Sequence, residues 1–231
     1  CAEKFWPGPF TMVLKRAAGI APCVSAGLDT VAVRMPSDKV AHDIISTSGI
    51  PLAAPSANTS GAPSPTSAYH VINDLDGKIN AVVMGDECMV GVESTVLSLC
   101  GEHPRLLRPG AVTAEQLREL FDDLIIDKAI LSEPERGARV SSPGMKYKHY
   151  APKTEAYLVS GGSAAFADFV NGRQNSAALC FAEDADKLKC KKIIYGTAAD
   201  ERTLAKNVFS ALRKADGLCA DKLYIHAPSK Q

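Results

Sequence analysis

The sequence predicts an α/β protein in two parts: a sheet-rich N-terminal part and a smaller C-terminal layer of alternating strands and helices. Three observations carry this. Residues 1–110 hold short apolar runs broken by Gly and Pro, with eight of the fourteen prolines inside the first 65 positions. Residues 132–154 have no apolar periodicity and are rich in Pro, Gly and Ser, which reads as a linker. From Glu155 onward, apolar strand-like runs alternate with helical spacing, the pattern of an α/β layer. The expected organisation is a first domain at 1–131, a linker at 132–154 and a small domain at 155–231.

Taken in order, Thr11–Leu14, Thr30–Val33, Pro51–Ala54, Ala81–Met84 and Ser94–Leu99 read as buried strands, being short apolar runs bounded by turn residues. Asp38–Thr47 and Ser67–Leu75 have helical spacing, with Ser37 and Thr66 where N-caps belong. Thr113–Leu124 reads as a helix. Thr113 with Gln116 fits a capping box, and Leu117, Leu120, Phe121 and Leu124 form its apolar face. In the C-terminal part, strands are expected at Ala156–Ser160, Ala177–Phe181, Lys192–Tyr195 and Lys222–His226. Helices are expected at Ala164–Asn171 and Arg202–Ala215.

Composition sets the outer limits. The 231 residues carry 26 Lys and Arg against 26 Asp and Glu, with 46% apolar residues, which is ordinary globular usage and excludes collagen and low-complexity disorder. Zero net charge argues against bulk electrostatic capture of nucleic acid and leaves room only for a local basic patch. The linker supplies one such patch: Arg136, Arg139, Lys146, Lys148 and Lys153 occur in 136–153 without an acid, with Tyr147, His149 and Tyr150 between them. It reads either as a phosphate-touching segment or as a solvated tether. No apolar run nears the roughly 18 residues of a membrane span and no signal segment opens the chain, so a cytoplasmic, membrane-free protein is expected. The seven cysteines are scattered and form no CxxC, so most are expected to be reduced, buried small hydrophobes. No metal site is expected.

No P-loop, dinucleotide fingerprint, HExxH or nucleophile-elbow string is present. Four other strings stand out. Phe5-Trp6-Pro7-Gly8-Pro9-Phe10-Thr11 reads as a packing corner before a strand. Asp29-Thr30-Val31-Ala32-Val33-Arg34-Met35-Pro36 ends an apolar strand in an Arg, which either reaches solvent or offers its fork to a carboxylate or phosphate. Pro51 to Gly61, followed by Pro63-Ser64-Pro65-Thr66, fills a loop after an expected strand with small hydroxyl and amide residues. Such a loop lets backbone amides approach an anion, or is only a Ser/Pro-rich turn. Gly91 to Val96, followed by Leu106-Leu107-Arg108-Pro109-Gly110, puts a second Arg at a strand end.

Together FWPGPFT, DTVAVRMP, PLAAPSANTSG with PSPT, VGVESTV, LLRPGAV and SPGMKYKHYAP occur in this order. In that order they resemble the long, two-domain form of the YrdC-like threonylcarbamoyl-AMP synthase family. The resemblance implies a twisted mixed sheet with a concave ligand face, followed by a small Rossmann-like domain. It implies synthesis of threonylcarbamoyl-AMP from L-threonine, bicarbonate and Mg²⁺-bound ATP, with release of pyrophosphate. A separate tRNA threonylcarbamoyl transferase would then modify tRNA, and a contact with tRNA itself fits the family. An RNA-binding module using the same face without catalysis is the alternative. A carbamoyl-transfer relative fits less well, because of the linker and the small domain after it.

By motif position, the resemblance assigns the threonine carboxylate to Arg34 and further threonine contacts to the Ala54 backbone and Ser94. It assigns ATP to Thr30, Ser56, Asn58, Ser64, Arg108 and, from the linker, Tyr150. No covalent catalytic residue is implied. The family's opening strand–helix segment, with its Pro-Thr-Glu-Thr type string and Lys-x-Arg pair, is not in this sequence, nor is the closing Gly-rich helix. The chain therefore reads as an interior fragment, expected to have little activity without that segment.

Overall fold

A computed structural model describes residues 1–131 and 151–228. Its elements run α1 (Ala2–Phe5), β1 (Phe10–Lys15), β2 (Thr30–Arg34), α2 (Lys39–Ser48), α3 (Ala68–Leu75), β3 (Thr95–Ser98), β4 (Arg105–Arg108), α4 (Ala114–Arg118), β5 (Ile125–Ile126) and α5 (Lys128–Leu131). They continue as β6 (Glu155–Val159), α6 (Ser163–Asn171), β7 (Ser176–Phe181), β8 (Lys191–Gly196), α7 (Glu201–Asp216) and β9 (Lys222–His226). The described residues fall into two units, 1–55 with 93–131, and 56–92 with 151–228.

In the first unit, β1 pairs antiparallel with β2 and parallel with β3. β3 pairs antiparallel with β4, which pairs parallel with β5, giving the order β2-β1-β3-β4-β5. Side chains alternate across this mixed sheet as the pleat requires. Phe10, Met12, Leu97 and Leu106 share one face with Val112 and Leu117, while Val13, Val96 and Leu107 share the other. The reciprocal Thr113–Gln116 capping box starts α4 and aims Leu117, which is fully buried, into that first face.

In the second unit, four parallel strands take the order β6-β9-β7-β8. β7 is buried along its whole length. Ala177, Leu179 and Phe181 pack with Leu204, Ala211, Leu212 and Ala215 of α7, and Ala178 and Cys180 with Phe166, Ala167 and Val170 of α6. A strand covered on both faces is what a continuous apolar run predicts. His226 at the end of β9 joins Asp184 at 2.7 Å and the Gly161 carbonyl at 2.8 Å, tying the carboxyl ends of the strands together. A mixed sheet followed by a parallel α/β layer is the architecture the sequence predicts.

Several expected elements differ. Pro51–Ala54 and Ala81–Met84 are irregular rather than strands, and Leu52, Val83 and Met84 are exposed. No strand among the described residues pairs with either run, and Pro51 and Pro55 lack the donors a ladder needs. β2 is an edge strand and is more exposed than a buried strand would be. The cap of α2 is Asp38, not Ser37: its carboxylate accepts the Ala41 amide at 2.8 Å. Ser67 precedes α3 without a side-chain cap bond, while the Thr66 amide donates to His70 Nδ1. The helix expected to reach Leu124 stops at Arg118, because the chain must turn to deliver Ile125 to β4. Of the cysteines only Cys180 is buried, and burial pushes its thiol up to about 12. Cys23 lies on an exposed single turn of 3-10 helix, Cys88 and Cys219 lie on exposed irregular chain, and none of the seven is in a disulfide.

Candidate functional site

The first unit assembles a polar row across its sheet. Arg34 closes β2 and stands opposite Thr11 in register. Thr11 Oγ1 lies 2.8 Å from Ser94 Oγ, the residue just before β3. From the end of β4, Arg108 donates Nε and Nη2 to the Ser94 carbonyl at 3.0 and 2.9 Å, and Nη2 also to Ser94 Oγ at 3.0 Å. Glu93 balances that cation at 3.4 Å. Strand order thus brings Arg34 of β2, Thr11 of β1, Ser94 at the entry to β3 and Arg108 of β4, which are far apart in sequence, into one row across the sheet.

The close seating of this row depends on two residues that carry no chemistry. Thr95 is fully buried, and its hydroxyl donates to the Val112 carbonyl at 2.7 Å while accepting the Val112 amide at 3.0 Å. Gly110 lies so close to the strand entry that a Cβ there would stand 2.3 Å from the Glu93 carbonyl and 2.5 Å from the Thr95 amide nitrogen. The Leu-Arg-Pro-Gly turn is therefore stapled against the Glu-Ser-Thr string, fixing Ser94 and Arg108 together.

The two arginines differ. Arg108 is largely buried and committed to Ser94 and Glu93 through Nε and Nη2. The Arg34 side chain is exposed, and its guanidinium makes no hydrogen bond or ion pair among the described residues. Thr30 sits half-buried at the opposite end of β2. Four residues along one strand put Thr30 and Arg34 on the same face, about 13 Å apart. Ala54 lies in exposed irregular chain.

Ser56, Asn58 and Ser64 belong to the second unit. Ser56 is exposed and Ser64 is buried. Asn58 Nδ2 donates to the carbonyls of Thr59 and Ala62 at 3.0 and 3.1 Å, closing a tight loop, while its Oδ1 is buried without a hydrogen-bond partner among the described residues. The Thr59 amide donates to Asp74 of α3 at 3.3 Å. Asp74 also receives Arg213 of α7, whose guanidinium holds its carboxyl below the usual range. Tyr150 lies outside the described residues, as does nearly all of the Ser142–Pro152 segment. The sequence reading missed Thr11, Asp74 and Arg213. Thr11 is visible only once register is known, and Asp74 and Arg213 are 139 positions apart. Among the described residues, no three His, Cys, Asp or Glu side chains form a metal-holding group, and no helix is long and apolar enough to cross a membrane.

Both parts of the chain are similar to known proteins. Residues 1–110 match a model of the Sua5–YciO–YrdC family described as "Telomere recombination", and residues 112–231 match one described as "Threonylcarbamoyl-AMP synthase, C-terminal domain". The chain is 40% identical to the threonylcarbamoyl-AMP synthase of Pyrococcus abyssi over 93% of its length, and equally so to that of Bacillus subtilis. It spans 64% and 63% of those two relatives. Against the Schizosaccharomyces pombe synthase it is 35% identical over 99% of its own length and 61% of the relative's. The crystal structure of P. abyssi Sua5 complexed with L-threonine matches the whole chain with a TM-score of 0.83 at 35% identity, over 68% of that chain. With both of its parts matched by the family's own models, the chain belongs to the Sua5–YrdC family of threonylcarbamoyl-AMP synthases.

Proposed function

We propose that the chain carries the threonine-side and part of the nucleotide-side residues of an enzyme that makes threonylcarbamoyl-AMP from L-threonine, bicarbonate and ATP, releasing pyrophosphate, for threonylcarbamoyladenosine modification of tRNA. The observation that supports this most is its likeness, over its whole length, to a relative crystallised with L-threonine. The polar row supplies a chemical rationale. Threonine brings a carboxylate, and the exposed Arg34 fork, unpartnered among the described residues, is the group suited to clamp it. Ser94, held by Thr11 and Arg108, and the Ala54 backbone would then fix the amine and hydroxyl ends.

The reaction needs no covalent enzyme intermediate. The threonine amine attacks the carbon of bicarbonate, the C–OH bond breaks and water leaves with an amine proton, giving a carbamate. A carbamate oxygen attacks the α-phosphorus of ATP, and pyrophosphate leaves with the electron pair of the broken P–O bond. Positioning and charge stabilisation supply the catalysis. On this reading Thr30, Ser56, Asn58 and Ser64 contact the nucleotide, Arg108 contributes its remaining Nη1, and Tyr150 reaches it from the linker. Magnesium enters as part of the Mg-ATP substrate, held by the phosphates. The product passes to a tRNA threonylcarbamoyl transferase, and contact with tRNA and a cytoplasmic setting fit that role.

The test is pyrophosphate release with Mg-ATP by the purified chain, with and without the family's opening strand–helix segment supplied, omitting threonine and bicarbonate in turn. Release that requires both supports the reading, with the carbamoylated adenylate seen by mass spectrometry. Release indifferent to threonine contradicts it.

A further inference from the structure

Helix α7 has two working faces. Leu204, Ala211 and Ala215 lie on one side and pack on the parallel sheet. Lys206 and Arg213 are seven residues apart, two turns along, and so share the opposite side. That side carries the 56–92 segment. A Cβ on Gly91 would stand 1.8 Å from the Lys206 carbonyl oxygen, so only glycine permits this approach. Arg213 grips the same segment at two further points. Its Nη1 and Nη2 donate to the two Asp74 carboxylate oxygens at 3.1 and 2.7 Å, and its Nε and Nη2 to the Pro63 carbonyl at 3.0 and 2.5 Å. Both side chains are nearly buried, at 12% and 13% exposure.

Arg213 reaches the small-residue loop at two places, directly at Pro63 and through Asp74 at Thr59. Pro63 immediately precedes Ser64. Asp74 in turn accepts the Thr59 amide, and Asn58 donates to the Thr59 and Ala62 carbonyls. One guanidinium therefore fixes the chain at 58–59 through Asp74 and at 63–64 directly. This is more than a surface ion pair: it is bidentate, largely shielded from water, and shared between a carboxylate and a backbone carbonyl.

We propose that Arg213, acting through Asp74 and the Pro63 carbonyl, is a positioning residue for the Ser56–Ser64 loop, so that the C-terminal layer sets the affinity of the nucleotide half of the site. The inference rests on the nucleotide reading of that loop. It gives the C-terminal layer a task that the chemistry leaves unassigned, since no substrate contact is required of α7.

Binding of Mg-ATP and of L-threonine is measured separately on the full chain by calorimetry. Arg213→Ala is expected to weaken ATP binding roughly tenfold, the loss of one charge-assisted contact, while threonine affinity stays within about twofold because Arg34 and Ser94 lie in the other unit. Arg213→Lys, which keeps the charge but not the fork, should fall between Arg213→Ala and the parent. Asp74→Asn combined with Arg213→Ala should cost little more than Arg213→Ala alone, as expected of residues acting as one unit. If Arg213→Ala does not fold, Arg213→Lys and Asp74→Asn carry the same comparison. Unchanged ATP affinity, or equal losses for ATP and threonine, overturns the positioning role. Ser56→Ala separates the two readings, since Ser56 is exposed and has no partner among the described residues. If Ser56→Ala weakens ATP binding and Arg213→Ala does not, only the clamp is wrong. If Ser56→Ala leaves ATP binding untouched, the nucleotide reading of the loop falls and takes the clamp with it.

Discussion

His70 shows how one side chain can report on the state of the loop before it. The Thr66 amide donates to His70 Nδ1 at 3.2 Å, which requires that nitrogen to be unprotonated. Burial, with Arg213 adding to it, lowers the His70 pKa from 6.5. The folded chain therefore resists a proton that the unfolded chain accepts. Stability is intact above 6.5 and is lost as pH falls from there toward the lowered folded value. The parent should lose more thermal stability than His70→Asn between about pH 7.5 and about pH 5.5, and equal losses would count against the contact. The two strand-end arginines mark what a sequence leaves unread at this scale. Val-Arg-Met-Pro and Leu-Arg-Pro-Gly look alike as strings, and both suggest an anion site. In the fold Arg108 is spent on Ser94 and Glu93, while Arg34 is free among the described residues. The difference comes from strand pairing, which places Ser94 beside Arg108 and only Thr11 beside Arg34.

Among the elements, legibility follows how much of the specifying information is local. α7, β7 and β9 appear close to where apolar spacing puts them, because their burial patterns repeat along their own length. The α4 capping box is legible for the same reason, as both partners lie within four residues. Pro51–Ala54 and Ala81–Met84 fail as strands because an apolar run needs a neighbouring edge, and that is a tertiary fact. The staple between the β4 turn and the β3 entry is likewise invisible to pattern. It makes a sharp prediction. Gly110→Ala should destabilise the protein by about 2 kcal/mol or more, since backbone atoms rather than a flexible side chain meet the new Cβ. Thr95→Val, of similar shape, leaves the Val112 groups unpaired and should cost about 1–3 kcal/mol. Chemical denaturation measures both, and a Gly110→Ala protein as stable as the parent would show that the turn is not seated there.

At the scale of the whole molecule, the proposed threonine contacts Arg34, Ala54 and Ser94 belong to the first unit, and the proposed nucleotide contacts Ser56, Asn58 and Ser64 to the second. The ordered motifs made the family legible from sequence, because six strings in a fixed order are specific where each alone is weak. The clamp from α7 was not legible, since it joins residues from opposite ends of the chain. The central claim is that the free fork at the end of β2 receives the carboxylate of L-threonine. Calorimetric titration of L-threonine into the parent protein and Arg34→Ala tests it most directly. The account predicts saturable binding by the parent, weakened roughly 10- to 150-fold in Arg34→Ala at unchanged thermal stability, with Arg34→Lys failing to restore it fully. Threonine binding that is absent from the parent, or indifferent to Arg34→Ala, would contradict it.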